Sequence, residues 1–265
     1  MLQANSWLAK NETTKAVSAL ERLNTSYPGA PALKVELAKA YIQSGKFSQA
    51  AAVLNEAATA SPNYADAVLL LSEINLRNGQ AGLAITALEG LLKTRPDIVK
   101  AQTLLADAYR AAGRLDDSAA VFRQQIARTP AKPEPYFFLG VVQRQQNKTA
   151  DARQSFNKAL ELAPDSAETL TQLVELDLVA KDFTGAMSLV QRLQEKKPSD
   201  AFPYLLAGKV RAAQKQWPEA ETALKKAIQL NPDLSTAYDL LVAIYLSTNR
   251  LPQAAQELEN ILVKS

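Results

Sequence analysis

Histidine and cysteine are both absent from the 265 residues, and that absence removes most protein chemistry at once. No Ser–His or Cys–His pair can be assembled, no imidazole or thiolate is available to zinc, and no disulfide can form. Neither G-x-x-x-x-G-K-[S/T] nor G-x-G-x-x-G occurs, so no phosphate-cradling loop is signalled. The acid–base candidates that remain are Glu73, Asp107 and Glu175, which recur at one position of a periodic pattern. They sit at least one period apart on an open surface, with no pocket implied that would raise a carboxyl pKa. Arg77, Arg110 and Arg144 recur beside them. This set suits binding and not turnover: no catalytic residue, no metal ligand and no cofactor is expected.

The elements that must position these side chains are marked by proline. Pro28, Pro62, Pro96, Pro130, Pro164, Pro198 and Pro232 follow one another at a constant 34-residue interval. A proline drives the residue before it out of the α region and so ends a helix. The polar residue after it (Asn63, Asp97, Asp165, Ser199 or Asp233) is then expected to cap the next helix, with Asp165 and Glu168 at capping-box spacing. With the proline as position 32, full units begin at Pro31, Ala65, Val99, Pro133, Ala167 and Ala201. A nearly complete unit covers 235–265 and a partial one 1–30. Position 20 is small throughout: Ala16, Ala50, Ala84, Ala152, Ala186, Ala220 and Ala254, with Ser118 as the one departure. A small side chain there lets two helices approach closely.

Period, small positions and proline together resemble the tetratricopeptide repeat family over essentially the full length. The fourth unit carries Tyr136, Leu139, Gly140, Ala152, Phe156, Ala159 and Pro164 at the pattern's positions. The resemblance implies an all-α, right-handed superhelical solenoid of helix-turn-helix repeats, organised as a single array. First helices are predicted at 32–44, 66–78, 100–112, 134–146, 168–180, 202–214 and 236–248. Second helices start about four residues after each. Val174 and Val242 at position 8 and Gln125 at position 27 depart from the pattern and predict looser interfaces. The turn within each unit falls on Asn11, Gly45, Gly79, Gly113, Asn147 and Asn249, which tolerate a left-handed cap. Lys181 and Lys215 do not, so the fifth and sixth turns are expected to be irregular.

Net charge is +3 from 30 basic and 27 acidic residues, too balanced to predict nucleic acid or an anionic membrane as partner. No apolar run is long enough to span a bilayer. No signal peptide is visible at Met1-Leu2-Gln3-Ala4-Asn5, and the chain reads as an excised piece of a longer array. The apolar end, Ile261-Leu262-Val263, is expected on the inward face of the last helix, and end-to-end packing of copies is open to it.

In this family the first helices line a concave groove through positions 2, 5, 9, 12 and 13. The resemblance therefore implies a protein- or peptide-binding groove formed by Leu69, Glu73, Arg77, Asp107, Arg110, Phe137, Arg144, Glu175, Phe202 and Leu205. Arg77 follows Glu73 by four residues and Arg110 follows Asp107 by three, so both arginines are also expected to form surface ion pairs. The lysine–asparagine pair of the family's chaperone-tail clamp is missing from every unit. A second reading follows from general character: long Ala- and Gln-rich arrays of this kind look like bacterial exopolysaccharide-secretion and PEP-CTERM-sorting proteins. That likeness implies a carbohydrate-associated module, with Phe137, Phe138 and Phe202 as its stacking candidates. It also favours the periplasm or cell envelope over the cytoplasm.

Overall fold

The computed structural model describes residues 2–262, and among them every regular element is an α-helix. The first eight are α1 (Leu2–Ala9), α2 (Thr13–Ser26), α3 (Pro31–Gln43), α4 (Phe47–Ala60), α5 (Ala65–Arg77), α6 (Ala81–Thr94), α7 (Val99–Ala111) and α8 (Leu115–Arg128). The second eight are α9 (Pro133–Gln145), α10 (Thr149–Leu162), α11 (Ala167–Val179), α12 (Phe183–Lys196), α13 (Ala201–Ala213), α14 (Trp217–Leu230), α15 (Ser235–Ser247) and α16 (Leu251–Leu262). Each first helix from α3 to α15 has 13 residues and each second helix from α2 to α14 has 14, so the 34-residue register never slips. The fold is an all-α solenoid of tandem helical hairpins. Every first helix starts one residue before its predicted bound.

Two compact units share the chain, one of residues 1–131 with 141–148, the other of 132–140 with 149–265. In both, position 20 is the pivot of the hairpin. Ala16, Ala50, Ala84, Ser118, Ala152, Ala186 and Ala220 are fully buried and Ala254 is 3% exposed. A larger side chain there would have to push two packed helices apart. Gln125 does not loosen its interface as predicted: it is buried, and its amide donates to Gln102 Oε1 (3.2 Å) and Thr103 Oγ1 (3.3 Å) on the adjacent helix. Val174 is fully buried and Val242 half-buried. The side-chain placement expected for Ile261, Leu262 and Val263 lies outside the described residues.

Second helices stop where the prolines require. The residue before each of Pro28, Pro62, Pro96, Pro130, Pro198 and Pro232 is the C-cap, with ψ between 63° and 95°. The capping assignment needs correction, because the proline and its successor are both spent in reversing the chain. The N-cap is the next residue, so Asp165 and Glu168 form no capping box. Ser166 caps α11 by accepting from Thr169 N (3.2 Å), and Asp200 caps α13 by accepting from Phe202 N (2.9 Å). Ala30, Tyr64, Ile98 and Leu234 cap nothing with their side chains. Asn63 instead accepts from Thr94 Oγ1 at 2.8 Å, and Asp165 lies 3.3 Å from Lys197 Nζ, so these residues tie successive loops together.

The turns at Lys181 and Lys215 are not irregular. Both lysines adopt φ of +59°, beside +59° at Asn11, +60° at Asn147 and +72° to +75° at the three turn glycines. The closing bond is the same everywhere: Asp182 N to Asp177 O (2.8 Å) and Gln216 N to Arg211 O (2.9 Å) match Gln80 N to Asn75 O (2.7 Å). That bond satisfies a carbonyl left over at the helix end and outweighs the roughly 1–2 kcal/mol that a side chain pays in the left-handed region. Lys215→Gly is therefore expected to stabilise the protein by about 0.5–1 kcal/mol. A urea-unfolding midpoint at or below that of the parent chain would contradict this.

Candidate functional site

The first helices carry the sequence-predicted binding residues, and each unit holds its own share. In the first unit, Glu73 projects from α5 and is held by Lys100 Nζ of α7 at 2.9 Å. It does not take the expected partner Arg77. Arg77 sits exposed at the end of α5 and has no ion pair among the described residues. Asp107 and Arg110 form the expected pair on α7, with Nη2 to Oδ1 at 3.3 Å. Arg144 is exposed in the last turn of α9. Leu69 is not a surface anchor: only 8% exposed, it packs in the core with Val68, Leu88 and Leu105.

In the second unit, Glu175 of α11 meets Lys209 Nζ of α13 at 3.3 Å. Phe137 is half-buried. Its ring lies edge-on to Phe138 at 5.4 Å between centroids and tilted against Phe156 at 5.9 Å. Phe202 and Leu205 are half-buried as well, the first against Leu170, Val190 and Leu206, the second against Leu224 and Leu241. Lys100 was missed as a site residue although it holds position 2, one of the groove positions. The signal was there: its charge is opposite to that of Glu73 at position 9 of the preceding repeat.

A different network, at position 11, was not legible as such. Tyr41 of α3 reaches back to donate to Glu21 Oε1 of α2 at 2.8 Å, and Tyr109 of α7 donates to Glu89 Oε1 of α6 at 2.6 Å. A cation covers each ring: Lys46 Nζ lies 6.0 Å from the Tyr41 centroid and the Arg114 guanidinium 4.4 Å from that of Tyr109. The second unit repeats the theme. Asp177, 3% exposed, takes Arg153 of α10 as its partner, and Arg250 lies over Tyr245 while pairing with Glu221 of α14. Position 11 thus ties a first helix to the second helix before it.

Burial, then the hydrogen bond and the charge of the nearby glutamate, push the phenols of Tyr41 and Tyr109 up to about 12, from an ordinary value of 10.0. Because the folded state holds the proton more tightly, the stabilisation is complete below pH 10 and is lost as pH rises toward 12. The urea midpoint is expected to fall across that interval, and the fall should shrink in a Tyr41→Phe/Tyr109→Phe variant. An equal fall in both proteins would remove the phenols as its cause.

Among the described residues no group of three metal-ligating side chains comes together, and no helix is long and apolar enough to cross a membrane. The arrangement offers fixed ion pairs, an open arginine and half-buried apolar side chains along first helices.

Hairpins of constant length stacked through small residues define a helical-repeat solenoid. Two family models described as tetratricopeptide repeat match the chain, one over residues 75–133, 103–167 and 205–265, the other over 8–74, 43–99 and 143–207. The chain belongs to the tetratricopeptide repeat family, whose fold generally serves as a non-catalytic scaffold for protein or peptide partners. It is 24% identical over 249 residues to a DnaJ homolog subfamily C member 7 homolog of Schizosaccharomyces pombe, covering 86% of this chain and 45% of that protein. It is 28% identical over 133 residues to a CTR9 homolog of Arabidopsis thaliana, covering 50% of this chain and 12% of that protein. The chain thus spans less than half the length of these relatives. A tetratricopeptide repeat protein from Parabacteroides merdae superposes with a TM-score of 0.67 at 16% identity, over 91% of this chain and 96% of that one.

Proposed function

We propose that this chain is a non-catalytic scaffold that binds an extended segment of a partner protein along the face of its first helices. The observation that carries the reading is the polar face of α5 and α7. Glu73 and Asp107 are already held by Lys100 and Arg110, while Arg77 stands exposed without an ion pair among the described residues. Charges fixed before the partner arrives lower the ordering cost of binding, and an open guanidinium offers five donors to a carboxylate or backbone carbonyls. In the second unit the Glu175–Lys209 pair beside half-buried Phe202 and Leu205 supports the same use. The repeats 31–64 to 201–234, with the partial repeats at either end, are inferred to belong to one array.

A glycan platform has less support, because the Phe137 ring spends its contacts on Phe138 and Phe156. The test uses a peptide selected from a random library against the intact chain. Arg77→Ala/Arg110→Ala is expected to weaken that peptide by about 2–3 kcal/mol with helicity unchanged. Gln154→Ala/Lys158→Ala, on the exposed side of a second helix, should change affinity by less than about 0.5 kcal/mol. The opposite ranking in calorimetric titration would move the site off the first helices.

A further inference from the structure

The position-11 latch is not built at every junction. At the junction of α4 and α5 all three of its members are neutral amides. Asn75 stands where Tyr41 and Tyr109 stand in the flanking repeats, Gln80 where Lys46 and Arg114 stand, and Asn55 where Glu21 and Glu89 stand. Two short amides do not span what a phenol and a glutamate span. A cleft of about 620 Å³ remains, lined by Ser48, Ala51, Asn55, Leu71, Asn75 and Leu83 among others, none of them charged. At the next junction, where Tyr109 and Glu89 are joined, the pocket is displaced along the helices, from Glu89 toward Pro96 and Arg128, and Tyr109 is not part of its lining. Asn75 is 7% exposed, lines the cleft between α4 and α5, and its side-chain amide has no hydrogen-bond partner among the described residues. Leu83, 59% exposed, stands at the mouth.

We infer that this cleft on the second-helix side of the first unit is a ligand site for the phenol ring of a tyrosine presented by a partner chain. The template is internal to the protein, since in the neighbouring repeats a tyrosine ring occupies the equivalent place and donates its hydroxyl to the residue at the Asn55 position. A bound phenol would donate to Asn55 Oδ1 and accept from Asn75 Nδ2, and its ring would replace water against Ala51, Leu71 and Leu83. The two amides exchange bonds to water for bonds to the phenol, and the ring takes its apolar area out of water. The uncharged lining selects a neutral ring over a charged side chain, whose desolvation nothing here would offset.

The probe is N-acetyl-tyrosinamide, with N-acetyl-phenylalaninamide as the ring lacking the hydroxyl, titrated into the intact protein and followed by amide chemical shifts. Shifts are expected in α4, α5 and α6, with the tyrosine analogue about tenfold tighter because the site answers its hydroxyl. Asn55→Glu/Asn75→Tyr rebuilds the latch from within. It is expected to raise the melting temperature by about 2–4 °C and to abolish the shifts. Ala52→Trp, at an exposed wall position of the cleft, should abolish them too without altering the core. The proposal is overturned by shifts outside α4–α6, by equal affinity for the two analogues, or by binding that survives in either variant.

Discussion

Gly140→Ala is expected to destabilise the protein by about 1–3 kcal/mol although it adds a single methyl group. A Cβ built at Gly140 lies 2.7 Å from both Cδ1 and Cε1 of Phe156, closer than real carbon atoms approach. The Phe156 ring is fully buried and has Phe137 against it at 5.9 Å, so it cannot swing aside. The clash belongs to a pair, which makes it testable by a cycle. In a Phe156→Leu background the same glycine substitution should cost less than about 1 kcal/mol, because the smaller side chain yields. Gly82, in the first turn of α6, has nothing within 4 Å of its added carbon, and Gly82→Ala should change stability by less than about 0.5 kcal/mol. Equal effects at 140 and 82 would mean that the close approach of α9 and α10 is not what selects glycine.

Arg153→Ala is expected to cost about 3 kcal/mol, the low end for breaking a buried ion pair. The variant leaves the Asp177 carboxylate in place, 3% exposed and without its cation. Solvent moderates the loss, since the Arg153 side chain keeps 37% of its exposure. Adding Asp177→Leu to Arg153→Ala removes the stranded charge and should restore stability to within about 1 kcal/mol of the parent. If the double variant were as unstable as the single one, packing of the arginine stem and not charge would be holding α10 to α11.

Much of this fold was legible in the sequence because its determinants are local and repeated. A proline at constant spacing ends a helix wherever it stands, and a small residue at position 20 has one role in every unit. What escaped is non-local or cooperative. Lys215 looked wrong for a left-handed turn, since single-residue preference omits the closing bond from Gln216 N to Arg211 O. Asp165 looked like a cap, but the chain needs one more residue to leave the proline turn, and Ser166 took the role. Leu69 shares its position with half-buried Phe137 and Leu205, yet it lies in the core, because position alone does not say how deep the neighbouring helix sits. The pairing of Glu73 with Lys100 and not Arg77 crosses from one repeat to the next, which spacing along one helix cannot reveal.

The claim that the first helices are the binding face is tested most directly by hydrogen–deuterium exchange with the library-selected peptide bound. Protection is predicted in α5 and α7, around Arg77 and Arg110, with little change in α6 and α8. Protection confined to α6 and α8, with α5 and α7 unchanged, would contradict it.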